Sequence, residues 1–329
     1  MREIDTQIIV LGCFCLTALS AGGALIQDQR SSEQEVVVAT VDGQPIYLSE
    51  VERLLGKVSH GQEVNPAALP VLQAQVLSEI VDRRLVLAYA KRTKSGPSAA
   101  EVDAALAELT SKLKVQGSSL ERFLQEQSIT EADLQRQVTW NLAWQMYLAR
   151  YVTDARLESF FKAHHREFDG SEVSVSHILL RPKADAGPAA TVDLLKRAEA
   201  IRREITSGKL SFAEAARKYS SGPSAENGGR LGFIARQSAM VEAFSRAAFA
   251  LEVGQVSQPV TTQFGVHLIR CDAVKPGKRA WTEVREPLEK ALARELLDRL
   301  ARNQQQYTPV EFTGKAPYLK PGTRELVLP

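Results

Sequence analysis

Two histidines, His177 and His267, are the residues of this chain best placed for chemistry. Each lies in a short run that reads as a strand, Val173, Val175, His177 and Leu179 alternating in the first and Val266 to Asp272 forming the second. Imidazole changes charge near neutral pH, so paired histidines can move protons. Histidines on strands also serve as structural hydrogen-bonding groups, and the spacing alone leaves both readings open. Met240 and Phe244 are four residues apart and share a face of a predicted helix. Such a face suits an apolar slot or plain core packing, methionine being a common gap-filler. His164 and His165 are adjacent, cannot share a helix face, and read as a solvated pair. His60 sits in a glycine-containing loop and reads as exposed, and Arg181 and Lys183 are too few for a phosphate site. Cys13, Cys15 and Cys271 form no disulfide scaffold and no zinc-like spacing with histidine, so no metal is expected.

These residues need elements to hold them. Val36 to Val41 reads as a short strand closed by an Asp42-Gly43 turn. Ser49-x-x-Glu52 has the form of a capping box, and Gly56, Gly61 and Pro66 mark a loop after it. Leu69, Leu72, Val76, Ile80 and Leu87 then recur at helical spacing. Gly96-Pro97 breaks the chain, Ser98-x-x-Glu101 caps the next helix, and further helices are expected at 119–127, 130–151 and 154–165. The pattern changes at Glu172. A strand whose core side is ambiguous leads to helices at 190–207 and 211–219 and to a turn-rich stretch from Ser220 to Gly229. A strand at 231–235, a helix at 241–250 and strands at 256–260 and 266–272 complete a β-α-α-β-α-β-β order. Trp281 to Gln306 returns to helix, with Val284, Leu288, Leu292, Leu296 and Leu300 on one stripe that needs a partner. The predicted partner is the preceding helical set.

Among 329 residues, 44% are hydrophobic and 24% charged, which excludes a mainly disordered chain and a polytopic membrane protein. Lys+Arg number 41 and Asp+Glu 39, a balance of +2 that gives no reason to expect a nucleic-acid partner. Ile8 to Ile26 is a stretch of nineteen uncharged residues, about the length that crosses a bilayer core. It reads as a cleaved signal peptide or an uncleaved anchor, with membrane contact through residues 8–26 in the second case. Either reading puts the body of the chain outside the cytoplasm, in the periplasm or cell envelope.

Residues 172–273 resemble the parvulin family of peptidyl-prolyl cis-trans isomerases. The resemblance rests on Ser176-His177-Ile178-Leu179-Leu180, Ser211-Phe212-Ala213-Glu214-Ala215-Ala216 with Tyr219-Ser220, and Asn227-Gly228-Gly229-Arg230-Leu231-Gly232. It continues through Met240 with Phe244, Ala248-Phe249-Ala250-Leu251, Gly254-Gln255-Val256-Ser257-Gln258-Pro259-Val260, and Thr262-Gln263-Phe264-Gly265-Val266-His267-Leu268-Ile269. The flanks are similar, more diffusely, to exported foldases of the SurA/PrsA type, through Val41-Asp42-Gly43-Gln44-Pro45-Ile46 and the segment from Asp154 to Phe168.

The resemblance implies an α+β chain: a parvulin module, a four-stranded antiparallel sheet with flanking helices, inserted in or appended to an all-helical chaperone domain. The expected division is a leader or anchor at 1–30, a helical domain at 36–168, the isomerase module at 171–274, a returning helix at 280–307 and an extended tail at 308–329. The implied activity is rotation about Xaa-Pro bonds. No covalent bond breaks and no cofactor is needed; the barrier of about 18–20 kcal/mol arises from amide resonance. The implied catalytic residues are His177 and His267, with Gly222 where many parvulins carry Cys or Asp, and Ser221 beside it. Leu231, Met240, Phe244, Phe249, Thr262 and Phe264 are the implied substrate-binding residues. The implied partners are unfolded or nascent exported polypeptides containing Xaa-Pro bonds. A holdase chaperone, or a dedicated secretion or assembly factor with a weak or inactive parvulin module, is the alternative, and Gly222 favours it.

Overall fold

Asp42 and Gly43 both adopt left-handed backbone, with φ of +53° and +72°. That is the geometry a two-residue turn needs to reverse a strand without splaying the pair. It joins β1 (Val37–Val41) to β2 (Gln44–Tyr47), which pair antiparallel. The computed structural model describes residues 35–59, 68–182, 189–237, 240–323 and 325–329. The apolar run at 8–26, His60 and Lys183 lie outside them. Among the described residues no helix is long and apolar enough to cross a membrane. Residues Val36–Pro329 form one compact unit.

Six helices follow the hairpin: α1 (Leu48–Val58), α2 (Leu69–Thr93), α3 (Ala99–Val115), α4 (Leu120–Gln127), α5 (Glu131–Tyr151) and α6 (Asp154–Phe168). Ser98, Ser119, Thr130 and Thr153 cap α3 to α6, each hydroxyl accepting an otherwise orphaned amide of the first turn. The first helix begins one residue before the expected box. Its entry is closed by Glu50, which accepts from the Tyr47 amide at 3.2 Å, and the helix runs through Gly56 instead of ending there.

The chain returns to this region as α10 (Arg285–Gln305), after a 3₁₀ turn at Trp281–Val284. Its stripe of Leu288, Leu292, Leu296 and Leu300 is buried with Val86, Trp144 and Leu157 from α2, α5 and α6. Two expectations need correction. The helical region is not all-helical, because β7 (Val310–Phe312) pairs with the free side of β1 to give a sheet in the order β2-β1-β7. The last residues are not simply an extended tail. Ala316 is buried, Phe312 stacks on Tyr318, and β8 (Tyr318–Leu319) pairs with β9 (Leu326–Val327). These short strands complete the core around Ile46, Leu77 and Leu85.

Between α6 and α10 stands the second module. It comprises β3 (Glu172–Leu180), α7 (Ala189–Thr206), α8 (Phe212–Tyr219), β4 (Arg230–Ala235), α9 (Glu242–Phe249), β5 (Val260–Thr262) and β6 (Gly265–Lys275). The four strands are antiparallel in the order β4-β3-β6-β5. Both faces of the central strands are covered, which resolves the ambiguity of the first strand. Ile178, Leu180, Val266 and Leu268 pack under α7 and α8. Val173, Val175, Ile269 and Cys271 pack under α9 with Phe244, Ala248 and Phe249. The segment expected as a strand at 256–260 contributes only a bridge from Val256 to Arg270 before β5 begins.

Candidate prolyl isomerase site

His177 and His267 stand on the two central strands, where Leu179 is opposite His267 and His177 opposite Ile269. The diagonal offset brings the rings together, with Nδ1 to Nδ1 at 3.4 Å. Both residues are buried, 8% and 5% exposed. Phe244, on α9, meets both rings edge-on, with centroids 5.9 and 5.5 Å away. Burial holds the His177 imidazolium below its ordinary range. Burial, then His177, then Arg181 push His267 down to about 3. Both rings are therefore neutral at physiological pH, and neither acts as a cation.

A chain of contacts joins the two rings to the strand hairpin and to the turn. Thr262 Oγ1 lies 2.8 Å from His267 Nε2 and 3.5 Å from the Gly265 carbonyl, and it accepts the Phe264 amide at 3.1 Å. His267 Nδ1 in turn meets His177 Nδ1. The other nitrogen, His177 Nε2, is buried and has no hydrogen-bond partner among the described residues. It points at Gly222: a Cβ built there would stand 3.2 Å from His177 Nε2 and 3.4 Å from Ser220 Oγ. The site thus presents an unpaired ring nitrogen where a side chain is lacking.

The turn from Ser220 to Gly229 is pinned against β3. Ser220 Oγ accepts the amides of Leu179 and Gly222 at 3.0 and 3.2 Å, and the Gly229 carbonyl accepts the His177 amide at 2.8 Å. Gly229 has φ +82°, and a Cβ on it would fall 2.3 Å from the His177 carbonyl oxygen, so only glycine allows this approach. Ser220 is the residue that sequence reasoning missed. Its signal was the Tyr-Ser pair at the end of α8. Ser221, expected beside Gly222, is exposed, and its amide donates to the Leu179 carbonyl at 2.7 Å. Ser224 Oγ is buried without a partner among the described residues.

The apolar residues divide by depth. Leu231 and Met240 are partly buried against the cluster that contains Phe244 and Phe249. Phe249 is 2% exposed, whereas Phe264 is 48% exposed. Thr262 is 4% exposed and engaged with His267, so it belongs to the histidine network. Elsewhere, His164 is not simply solvated. It stacks on Phe160 and lies 3.6 Å from Glu167 and 3.9 Å from Glu295.

A sheet with helices on both faces, a buried histidine pair and an adjoining apolar cluster fit a class: the parvulin-type prolyl isomerases. Comparison with known proteins agrees. Residues 177–273 match the model of the PPIC-type PPIase domain, and residues 1–148 match that of a SurA-like N-terminal domain. A protein named Chaperone SurA, from Aromatoleum aromaticum, is 26% identical over 317 residues, covering 91% of this chain and 69% of its own. One named Foldase protein PrsA, from Bacillus subtilis, is 28% identical over 260 residues, covering 78% and 74%. A crystal structure of a peptidylprolyl isomerase (PrsA) from Bacillus anthracis covers 70% of this chain and 96% of its own at 25% identity, with a TM-score of 0.35. That score is too low to transfer any arrangement of domains. The chain carries a PPIC-type parvulin domain beside a SurA-like N-terminal domain.

Proposed function

We propose that this protein is a prolyl isomerase and folding chaperone acting on unfolded polypeptides outside the cytoplasm. It rotates Xaa-Pro bonds in the slot between Met240, Leu231 and Phe244. The observation that carries this reading is the neutral pair His177–His267, in contact with Thr262 and met edge-on by Phe244. Catalysis of rotation requires only that the twisted bond be held better than the planar one. A dry apolar slot with fixed polar groups does this without proton transfer. The depressed affinities of both imidazoles for protons fit that role and argue against general acid-base chemistry.

The helical region supplies the chaperone part of the proposal. An open groove of about 340 Å³ between α3 and α5 is lined by Pro97, Ala104, Ala105, Leu142 and Met146 together with Glu101, Glu108 and Gln145, and Met146 is 42% exposed. Exposed methionine in a groove of mixed polarity suits varied unfolded segments. The stretch at 8–26 supports export, as a cleaved leader or as an anchor. Gly222 favours a second reading, a holdase whose parvulin module binds proline segments and turns them over slowly. One paired experiment separates the two: prolyl isomerisation and suppression of client aggregation, both measured with the full chain. Aggregation suppression without measurable isomerisation supports the holdase; isomerisation above background supports the enzyme.

A further inference from the structure

The turn after β4 and the first turn of α9 carry a charge cluster that the histidine site does not use. The Arg236 guanidinium donates from its two Nη atoms to Glu242 at 2.8 and 2.7 Å. Its Nε donates to Glu167 of α6 at 3.4 Å. The Arg236 and Glu167 side chains are only 19% and 17% exposed. Glu242 also receives Arg294 of α10 at 3.3 Å. These partners keep Arg236 more firmly protonated and Glu242 more firmly ionised than usual. One guanidinium therefore joins the helical scaffold, through Glu167, to the helix that presents Phe244 to both histidines.

The connection between the modules is itself close. The two linkers cross side by side, with the Arg279 amide on the Asp169 carbonyl at 2.8 Å and the Gly277 amide on Ser171 Oγ at 2.9 Å. A Cβ at Gly277 would stand 2.1 Å from the Asp169 oxygen, so the crossing admits only glycine. Arg166 of α6 adds a second tie, donating to the Leu251 carbonyl at 2.7 Å and to Glu252 at 3.1 Å.

We propose that Arg236 is a positioning residue for the isomerase site, and that Glu167 of the helical scaffold sets the proline slot through it. This rests on the isomerase reading above. Arg236 follows β4, and Glu242 opens the helix that carries Phe244. A bidentate pair fixes the separation and orientation of the two groups it joins. Glu167, held by α6, then fixes the guanidinium relative to the scaffold. Without Glu167 the Arg236–Glu242 pair still forms, but its orientation is no longer tied to the helical domain. The slot wall then samples more positions, which weakens peptide binding while leaving the histidine network intact.

The test uses the full chain and one fluorescently labelled Ala-Ala-Pro-Phe peptide, reading Kd by anisotropy and kcat and KM by isomerisation. Glu167→Gln and Arg236→Ala should each raise Kd and KM about three- to tenfold, the scale of one partly buried charged pair, with kcat within about twofold of wild type. Arg236→Lys should resemble Arg236→Ala, because an ammonium cannot grip two carboxylates in the same plane. The double variant Glu167→Gln/Arg236→Ala should be no worse than Arg236→Ala, since both act through one group. Unchanged Kd and KM in Glu167→Gln, additive losses in the double variant, or a fall in melting temperature with no change in Kd would each overturn the proposal. A wild type that neither binds nor turns over the peptide overturns the isomerase reading and this inference together. That result is distinct from variants matching an active wild type.

Discussion

Replacing Gly222 by aspartate should speed this enzyme. His177 Nε2 is buried without a hydrogen-bond partner among the described residues, and it lies 3.2 Å from where the Gly222 Cβ would be. A buried polar group left unpaired costs about 1–3 kcal/mol. Preorganised polar groups at a site of twisting charge are worth up to about 10²–10³ in rate. The gain here should be smaller, about tenfold in kcat/KM, an order-of-magnitude expectation that discounts the polar-group figure because His177 must yield a few tenths of an ångström to admit the Cβ. The backbone permits the change: Gly222 is not among the residues with left-handed φ, so aspartate and cysteine are equally free of backbone strain. Gly222→Ala is the control. Its methyl group would press on Nε2 without offering it a polar partner, and the rate should fall or stay level. The assay is steady-state isomerisation of one Xaa-Pro peptide, with peptide affinity measured separately. If Gly222→Asp is slower than wild type while affinity is unchanged, His177 Nε2 does not lack a partner at this position and the reasoning is refuted.

Acid should unfold the protein through the same histidines. Both titrate near 6.5 in an unfolded chain, whereas His267 is held down to about 3 and His177 below its ordinary range in the fold. The unfolded state therefore binds more protons below pH 6.5, and stability, complete above that pH, falls as the pH drops from 6.5 toward 3. His267 alone should remove about 2 kcal/mol between pH 6.5 and 5. Denaturant unfolding at the two pH values measures it; His267→Asn should flatten the dependence, and equal wild-type stability at both values would contradict the assignment. Truncation after Gly277 removes the cover of Val86, Trp144 and Leu157 together with β7, so it should lower the solubility and melting temperature of the remaining helical region. An unchanged melt would show that α10 is dispensable. The segment 170–275 contains all four strands and both helical covers, and it should unfold cooperatively on its own; a broad, non-cooperative melt would mean that the scaffold is part of its core.

Long periodic segments and the parvulin-like stretches were legible in the sequence because their residues repeat one environment over several turns. The leucine stripe of α10 is such a case, since Leu288 to Leu300 needed burial and found it. The three-stranded sheet was not legible. β7 has three residues and β2 four, too short for alternation to show, and β7 reaches β1 across nearly the whole chain. The capping residue of α1 differs from the expected one because Ser49 offers a familiar pattern, while Glu50 reaches the Tyr47 amide two residues earlier. At the site, the histidines and Met240 could be named from their surroundings. Ser220 could not be separated from Ser221, because which of two adjacent hydroxyls faces β3 depends on how the turn docks. Arg236 gave no signal at all: its partner Glu167 lies 69 residues before it, and Glu242, its other partner, is shared with Arg294 on the returning helix.

Exchange between cis and trans forms of a single Ala-Ala-Pro-Phe peptide, followed by NMR with catalytic amounts of the full chain, tests the central claim most directly. Wild type should accelerate exchange above the uncatalysed tens-of-seconds scale. Met240→Ala, which removes slot wall and leaves the histidine pair in place, should require more peptide for the same rate. Peptide resonances that shift on binding without faster exchange, in wild type and Met240→Ala alike, would mean that the module grips proline segments but does not turn them.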